Sequence, residues 1–176
     1  MPPALMIVDV QKGFDRADFW GPRNNLDCEA NIAALLEHWS GPKIFVRHDS
    51  EEPGSPLAPG RPGNDFKDVI TGEPDVLITK HVNSCFYGEP DLHAWLQERG
   101  ITELAICGIT TNHCCETTAR MAGNLGYDVQ FVIDATHTFD RGGLTADELA
   151  RATEANLHEE FATVVRTNEL LTRSAG

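Results

Sequence analysis

The chain has 176 residues, 41% of them hydrophobic and 23% charged, with a formal net charge of −13. That is enough for one domain with a sizeable core and too little for two comfortable ones, so residues 1–176 read as a single domain. The acidic balance argues against nucleic acid and anionic membranes as partners, because both need basic side chains to replace counterions.

The opening "MPPALMIVDVQ" has no basic n-region and only a short apolar run. It predicts neither a signal peptide nor a membrane span, and the expected compartment is the cytoplasm. "ALMIVDV" then predicts a first strand. "LDCEANIAALLEHW" predicts a helix, with Ile32, Leu35, Leu36 and Trp39 on one face. "KIFVRH" is a second strand. Residues 49–74 are rich in Gly, Pro and acidic side chains, without periodicity. They exceed a usual connection and read as a functional lid or a mobile insertion. "DVLITK" is a third strand, and "DLHAWLQERG" a helix stopped by Gly100. "ELAICGI" is a fourth strand, followed by a helix over 112–125 that ends at Gly126. "DVQFVIDA" is a fifth strand. "TADELARATEANLHEEF" is a long helix with Thr145 as its N-cap, and "ATVVRT" is a sixth strand. Strands alternating with helices predict an α/β fold, Rossmann-like. Its layers are α-β-α, around a parallel six-stranded sheet covered on both faces.

Ligands of such sheets bind outside the carboxyl ends of the strands. Asp9, His48, Lys80, Gly108 and Asp134 all fall where a strand ends or has just ended. A carboxylate inside an apolar run is costly unless paired, and Lys80 is equally out of place directly after "VLIT". Singly, Asp9 reads as an anchor for a neighbouring loop and Lys80 as a snorkelling side chain. Together they read as a paired site.

The five cysteines are Cys28, Cys85, Cys107, Cys114 and Cys115. An odd number without framework spacing argues against structural disulfides. The adjacent pair is too close to bridge: neighbouring Cα atoms lie about 3.8 Å apart, against about 4.4–6.8 Å in disulfides. No C-x-x-C occurs, and His113, Cys114 and Cys115 cannot converge on one ion from a helix, so no metal site is expected. Gly108 breaks the fourth strand, Thr111 or Asn112 can cap the next helix, and Cys114 falls in its first turn. There the helix dipole favours thiolate over thiol, free backbone N–H groups can hold an oxyanion, and Asp9 can act as base. Cys115, in line with Ala119 and Ala122, reads as core filler.

The stretches "LMIVDVQKGF", "VRH", "ITKHVNSCFYG" and "CGITTNHCCETTARMAGNLGYDVQFVIDA" resemble, in this order and across nearly the whole chain, the isochorismatase-like cysteine hydrolase superfamily. That group includes nicotinamidases and N-carbamoylsarcosine amidohydrolase. The resemblance implies a catalytic triad of Asp9, Lys80 and Cys114. It also implies a cis peptide between Ile109 and Thr110, turning the backbone N–H groups of Thr110 and Cys114 toward an oxyanion. Nicotinamidases of the superfamily carry a metal site built from Asp-x-His and a further His. Here "VRHDSEEPGS" has His48 and Asp49 adjacent, and the next histidine is His81, a pattern that resembles the metal-free branches. Isochorismatases proper cleave a vinyl ether and generally lack the cysteine, so Cys114 favours acyl or carbamoyl transfer to water.

The expected function is therefore a cysteine hydrolase that cleaves an amide, lactam or carbamoyl C–N bond of a small molecule, without cofactor. An ether hydrolase of the isochorismatase type, or a non-catalytic ligand-binding or redox-sensing protein, is the alternative. The expected substrate-side residues are Phe14, Trp20, His48, Asn83, Phe86 and Ile109. Phe139 belongs with the aromatic candidates, although Phe14, Trp20 and Phe139 equally fit plain core. His113 and His137 read as solvent-facing or structural, with His113 as the fallback base. The resemblance and the acidic single domain together suggest a homodimer or homotetramer.

Overall fold

The computed structural model describes residues 2–174. Six strands lie in the order β3-β2-β1-β4-β5-β6. They are β1 (Ala4–Val8), β2 (Lys43–His48), β3 (Val76–Lys80), β4 (Glu103–Ile109), β5 (Asp128–His137) and β6 (Thr163–Val165). Every neighbouring pair is parallel. The helices are α1 (Ala17–Trp20), α2 (Cys28–His38), α3 (Leu92–Glu98), α4 (Glu116–Asn124), α5 (Ala146–Leu157) and α6 (Thr167–Ser174). Among the described residues no helix is long and apolar enough to cross a membrane.

Alternation along each strand builds two cores. In β1, Leu5 and Ile7 join Ile32, Leu35 and Leu170 of α2 and α6. Ala4, Met6 and Val8 join Leu96, Ala119 and Leu157 of α3, α4 and α5. Successive strand side chains point to opposite faces, so a strand covered on both sides must be apolar throughout. Each fully buried Leu or Ile contributes about 1.5–3 kcal/mol. The result is the expected three-layer α-β-α arrangement.

The chain winds outward from β1 through β2 to β3, then returns to lay β4 on the other side of β1. That reversal opens a crevice at the carboxyl ends of β1 and β4, where ligands of such sheets bind. Gly108 makes the close approach possible. It pairs with Val8 at a φ of +132°, and a Cβ there would lie 2.1 Å from the Val8 carbonyl oxygen. Gly108→Ala should therefore cost about 3 kcal/mol or more, since neither backbone can yield without moving Asp9 or Thr110. Urea unfolding measures this; a variant as stable as the parent would show that the two strands have slack.

Three features depart from the sequence reading. β5 shifts register between Ile106 and Gly108 of its partner strand, and it runs on to His137. Asp134 therefore sits inside the strand rather than at the crevice. Its Oδ1 accepts hydrogen bonds from Thr167 N and Oγ1, both at 2.8 Å, and fixes the start of α6, a helix the sequence reading did not expect. The predicted helix over 112–125 opens instead as a π turn, Thr111–Cys115, before α4. Thr111 and Asn112 do not cap it. Thr111 Oγ1 donates to Thr136 Oγ1 at 2.8 Å, and Thr138 Oγ1 donates to Asn112 Oδ1 at 2.5 Å, so they tie the turn to the end of β5 and to the residue just after it. Thr145 does cap α5, in a capping box with Glu148.

Residues 49–74 fold back over the carboxyl end of the sheet. Lys67 N donates to Val10 O and Lys12 N to Asp65 O, each at 2.9 Å. Asn64 Nδ2 donates to Leu57 O and Asp49 Oδ1, each at 2.9 Å. The buried Lys67 ammonium bridges Asp15 and Glu29 at 2.8 and 2.7 Å. The segment is a pinned flap, and it delivers Leu57 to the crevice.

Candidate active site

Asp9 directly follows β1 and has a φ of +53°, a left-handed conformation that short polar side chains tolerate best. The turn swings its carboxylate into the crevice, where it is fully buried. Lys80 ends β3, two strands away, with its Cα level with that of His48. Its stem runs beneath the end of β2 and its ammonium arrives beside Asp9. The π turn after β4 supplies Cys114, and the Ile109–Thr110 peptide leading into it is cis.

The Lys80 ammonium is the hub. It lies 2.8 Å from Asp9 Oδ2, 3.0 Å from His48 Nδ1, 3.0 Å from Val82 O and 3.3 Å from Cys114 Sγ. An ammonium has three N–H donors, so these four acceptors compete and the longest contact, to sulfur, is the weakest. Burial alone would lower the Lys80 pKa; the charge of Asp9 and its hydrogen bond to the ammonium oppose this, and the net direction is up. Burial lowers the pKa of His48, and Lys80 adds to the effect, so its ring is neutral at pH 7 and can accept from the ammonium. Among the described residues the second Asp9 oxygen, Oδ1, is buried without a hydrogen-bond partner. Such an orphaned acceptor beside a thiol is placed to receive its proton.

The thiol itself behaves differently from the sequence expectation. Burial pushes the Cys114 pKa well above its usual range and the Asp9 carboxylate adds to this; Lys80 opposes both without cancelling them. Cys114 is therefore a thiol at rest, not the low-pKa thiolate expected from a helix N-terminus. Its neighbour Cys115 is fully buried against Ala119 and Ala122. Cys28, Cys85 and Cys107 are also fully buried, whereas Cys114 lines a cavity. Iodoacetamide should thus modify Cys114 ahead of the other four. Because its pKa is raised, the rate should keep climbing with pH through and beyond about 8.5, the free-thiol value, rather than level off below it. Peptide mapping across a pH series checks both parts. A plateau below pH 7, or faster labelling of another cysteine, would contradict them.

The cavity above the thiol measures about 180 Å³, below the ~300–1,000 Å³ typical of drug-sized ligands. Phe14, Trp20 and Phe139 form one wall, with ring centroids 4.9–6.2 Å apart. His48 and Asn83 also line it, as the sequence reading placed them, and so does Thr110. Phe86 and Ile109 are not brought to this cavity. Phe86 stacks on Tyr127 at 6.1 Å on the α3–α4 side, because the 3-10 turn Cys85–Tyr87 rotates it away. Ile109 points into the core under α2, as the alternation of β4 dictates. His137 is fully buried, 3.8 Å from Glu29, and is structural in position.

Several residues on or near the site escaped the sequence reading. Leu57, Thr138, Asp140 and Arg141 line the cavity, and so does His113, which had been held in reserve. The fully buried Gln11 locks the end of β2. Its Nε2 donates to His48 O and to Asn64 O, and its Oε1 accepts from His48 N, all at 2.9 Å. The available signal was its spacing, two residues after Asp9 in the same apolar run.

The positions that would supply a nicotinamidase-type metal site have other partners. Arg47 and Asn64 engage the Asp49 carboxylate at 2.8 and 2.9 Å. The His81 ring contacts Asp49 O at 2.7 Å, and His48 Nδ1 faces Lys80. Asp9, His48 and Cys114 offer a second cluster, with ligand atoms within 4.8 Å of one another. The Lys80 ammonium contacts all three, so its charge already occupies the place a cation would take. Neither set fits a metal, and dialysis against a chelator should leave turnover intact; restored activity on adding back zinc, iron or manganese would count against this.

A three-layer α-β-α sheet with a cysteine, a carboxylate and an ammonium at its switch point has the layout of a cysteine hydrolase. The Isochorismatase domain model matches residues 3–169, and the chain belongs to that family of hydrolases. It is 41% identical to the isochorismatase family protein YrdC of Bacillus subtilis, over 96% of this chain and 94% of that one. It is 30% identical to Nicotinamidase 3 of Arabidopsis thaliana, over 95% and 86%. A crystal structure of an isochorismatase-family protein from Chromobacterium violaceum superposes with a TM-score of 0.92 at 37% identity, covering 98% of this chain and 93% of that one.

Proposed function

We propose that this hydrolase cleaves a C–N bond of a small amide, lactam or carbamoyl compound through a thioester on Cys114. The observation that carries the reading is the buried Lys80 ammonium, within hydrogen-bonding distance of both Asp9 and Cys114, which line the cavity. Asp9 takes the thiol proton through its free Oδ1 as sulfur attacks the carbonyl carbon. Lys80 holds Asp9 in place and balances the charge that appears on sulfur. The backbone N–H groups of Thr110 and Cys114 serve the oxyanion. The C–N bond breaks, and the amine leaves with the proton from Asp9. Water then attacks the thioester, giving its proton to Asp9, which returns it to the departing sulfur. The sum is one amide plus one water to one acid plus one amine. The relation to Nicotinamidase 3 supports amide chemistry.

The high thiol pKa suits this scheme. A resting thiol needs a base at the moment of attack, and Asp9 is the carboxylate within reach. A redox-sensing role has less support, because Cys115 is buried in the core and aimed away from the cavity. The test is steady-state hydrolysis of a panel of small primary amides, ureido compounds and p-nitrophenyl esters. Turnover of at least one amide or ureido compound that vanishes in Cys114→Ala supports the reading. Turnover of esters alone, or turnover independent of Cys114, would refute it.

A further inference from the structure

The flap over residues 49–74 meets the turn after β1 along a seam that the hydrolase chemistry does not use. A groove of about 480 Å³ opens there. Lys12 and Arg16 line it from the β1 side and Arg61 from the flap. Three of the chain's 14 Lys and Arg residues thus share one groove, and among the described residues no carboxylate lines it, although the chain carries 27 acidic residues. Asp15, in the same turn, faces the Lys67 ammonium at 2.8 Å instead. Arg16 pairs with Asp18 at 2.6 Å and Lys12 with Asp68 at 3.4 Å, but all four side chains are exposed, and such surface pairs are weak. Arg61 has no carboxylate partner among the described residues; its Nη1 donates to Gly54 O at 3.3 Å.

The two sides of the seam touch at the backbone. A Cβ on Gly63 would lie 2.2 Å from Pro56 O and 2.8 Å from Gly13 Cα, and one on Gly13 would lie 2.9 Å from both Gly63 O and Pro56 O. The same segments border the catalytic cavity. Gly13 O accepts a hydrogen bond from Trp20 Nε1 at 2.8 Å. Phe14 and Leu57, which follow Gly13 and Pro56 in the chain, line the cavity as Trp20 does. Groove and cavity therefore share one wall.

We infer that this groove is a second binding site, for a phosphoryl group that is free or carried on a small molecule, and that its occupant clasps the flap to the turn after β1 and tightens substrate binding. Two guanidinium forks and an ammonium are a donor set suited to phosphate. A dianion competes for Arg16 and Lys12 better than the single exposed carboxylates of Asp18 and Asp68, so phosphate fits better than a monocarboxylate. A surface of net charge −13 repels anions, and one settles only where cations gather without acids. Pro56 and Pro62 offer apolar faces to the rest of a ligand, and the volume lies within the ~300–1,000 Å³ of small-molecule sites. An occupant that steadies Leu57 and Trp20 links its own affinity to that of the substrate, and the linkage is reciprocal.

Calorimetry on the intact protein tests the site without relying on turnover. The probes are inorganic phosphate, glycerol 3-phosphate and AMP, with glycerol and adenosine as neutral controls. At least one phosphate compound should bind at low salt with a Kd of about 1 mM or below, and the neutral controls should not. Equal affinity for all three would identify free phosphate as the ligand, and tighter binding of an ester would add its organic part; both support the site. Arg61→Gln and Lys12→Gln should each weaken binding by about 10-fold or more, whereas Arg151→Gln, an exposed position of α5 outside the groove, should not. Saturating ligand should lower KM for a substrate from the panel by about 5-fold or more, and Arg61→Gln should abolish this while leaving KM and kcat without ligand unchanged. Failure of all three probes to bind, or binding that survives both groove substitutions, would overturn the site. Binding through Arg61 and Lys12 that leaves KM unmoved would overturn the clasp.

Discussion

Cys114→Ala should lower turnover by several orders of magnitude, and adding Asp9→Asn to it should cost almost nothing more. Asp9 Oδ1 is a buried acceptor without a partner among the described residues, and Lys80 bridges the other carboxylate oxygen to the sulfur. Groups linked in this way act as one unit, so the loss of any member removes most of what the others do. Asp9→Asn alone keeps the shape of the side chain but cannot take the thiol proton. Since positioned general-base catalysis contributes roughly 10²–10⁴-fold, its loss should fall in that range or beyond. The raised Cys114 pKa sharpens the expectation, because a thiol that holds its proton at pH 7 depends on the base at each turnover. The measurement is steady-state turnover of a substrate found in the panel, with circular dichroism to confirm the fold. A folded Asp9→Asn enzyme with near-normal turnover would remove Asp9 from the mechanism. His113, which lines the same cavity, would then be the next base to examine.

The second large effect is on stability. Lys80→Met removes the only ion-pair partner of Asp9 among the described residues, and both side chains are fully buried. Stranding one member of a buried pair costs about 3–5 kcal/mol, whereas replacing both members is far milder. Lys80→Met should therefore lower unfolding stability by that amount, and Lys80→Met combined with Asp9→Asn should regain a large part of it. Recovery should stop short of complete, because His48 Nδ1 and Val82 O also lose a donor when the ammonium goes. Urea unfolding of the two single variants and the double variant gives the comparison at constant pH. A double variant whose loss equals the sum of the single losses would show that the two charges are not coupled through the fold. Turnover, by contrast, should stay low in all three, since stability can be recovered without restoring the base or the charge that balances the thiolate.

Much of the architecture was legible because it is local. β1, β2 and β4 are runs such as "LMIV", "IFV" and "LAI", and both faces of such a strand must be apolar whatever lies on either side. Polar groups at the ends of apolar runs, Asp9 after β1 and Lys80 at the end of β3, were conspicuous for the same reason: burial is costly, so a carboxylate or ammonium there implies a partner. Their pairing at 2.8 Å follows from strand ends that share one edge of the sheet. What the sequence could not carry is anything decided by a side chain's direction beyond a strand end, or by contacts between distant segments. Phe86 and Ile109 look as eligible for the cavity as Phe14 and Trp20, but a 3-10 turn rotates one away and strand alternation buries the other. Leu57 and Arg141 reach the cavity only because residues 49–74 fold back onto Val10 and a Gly-Gly turn closes beside Pro22. The protonation of Cys114 belongs with these. A helix N-terminus near the thiol is visible in the sequence and favours thiolate, but the depth of burial and the nearness of Asp9, which favour thiol, exist only once β1 and β4 lie side by side.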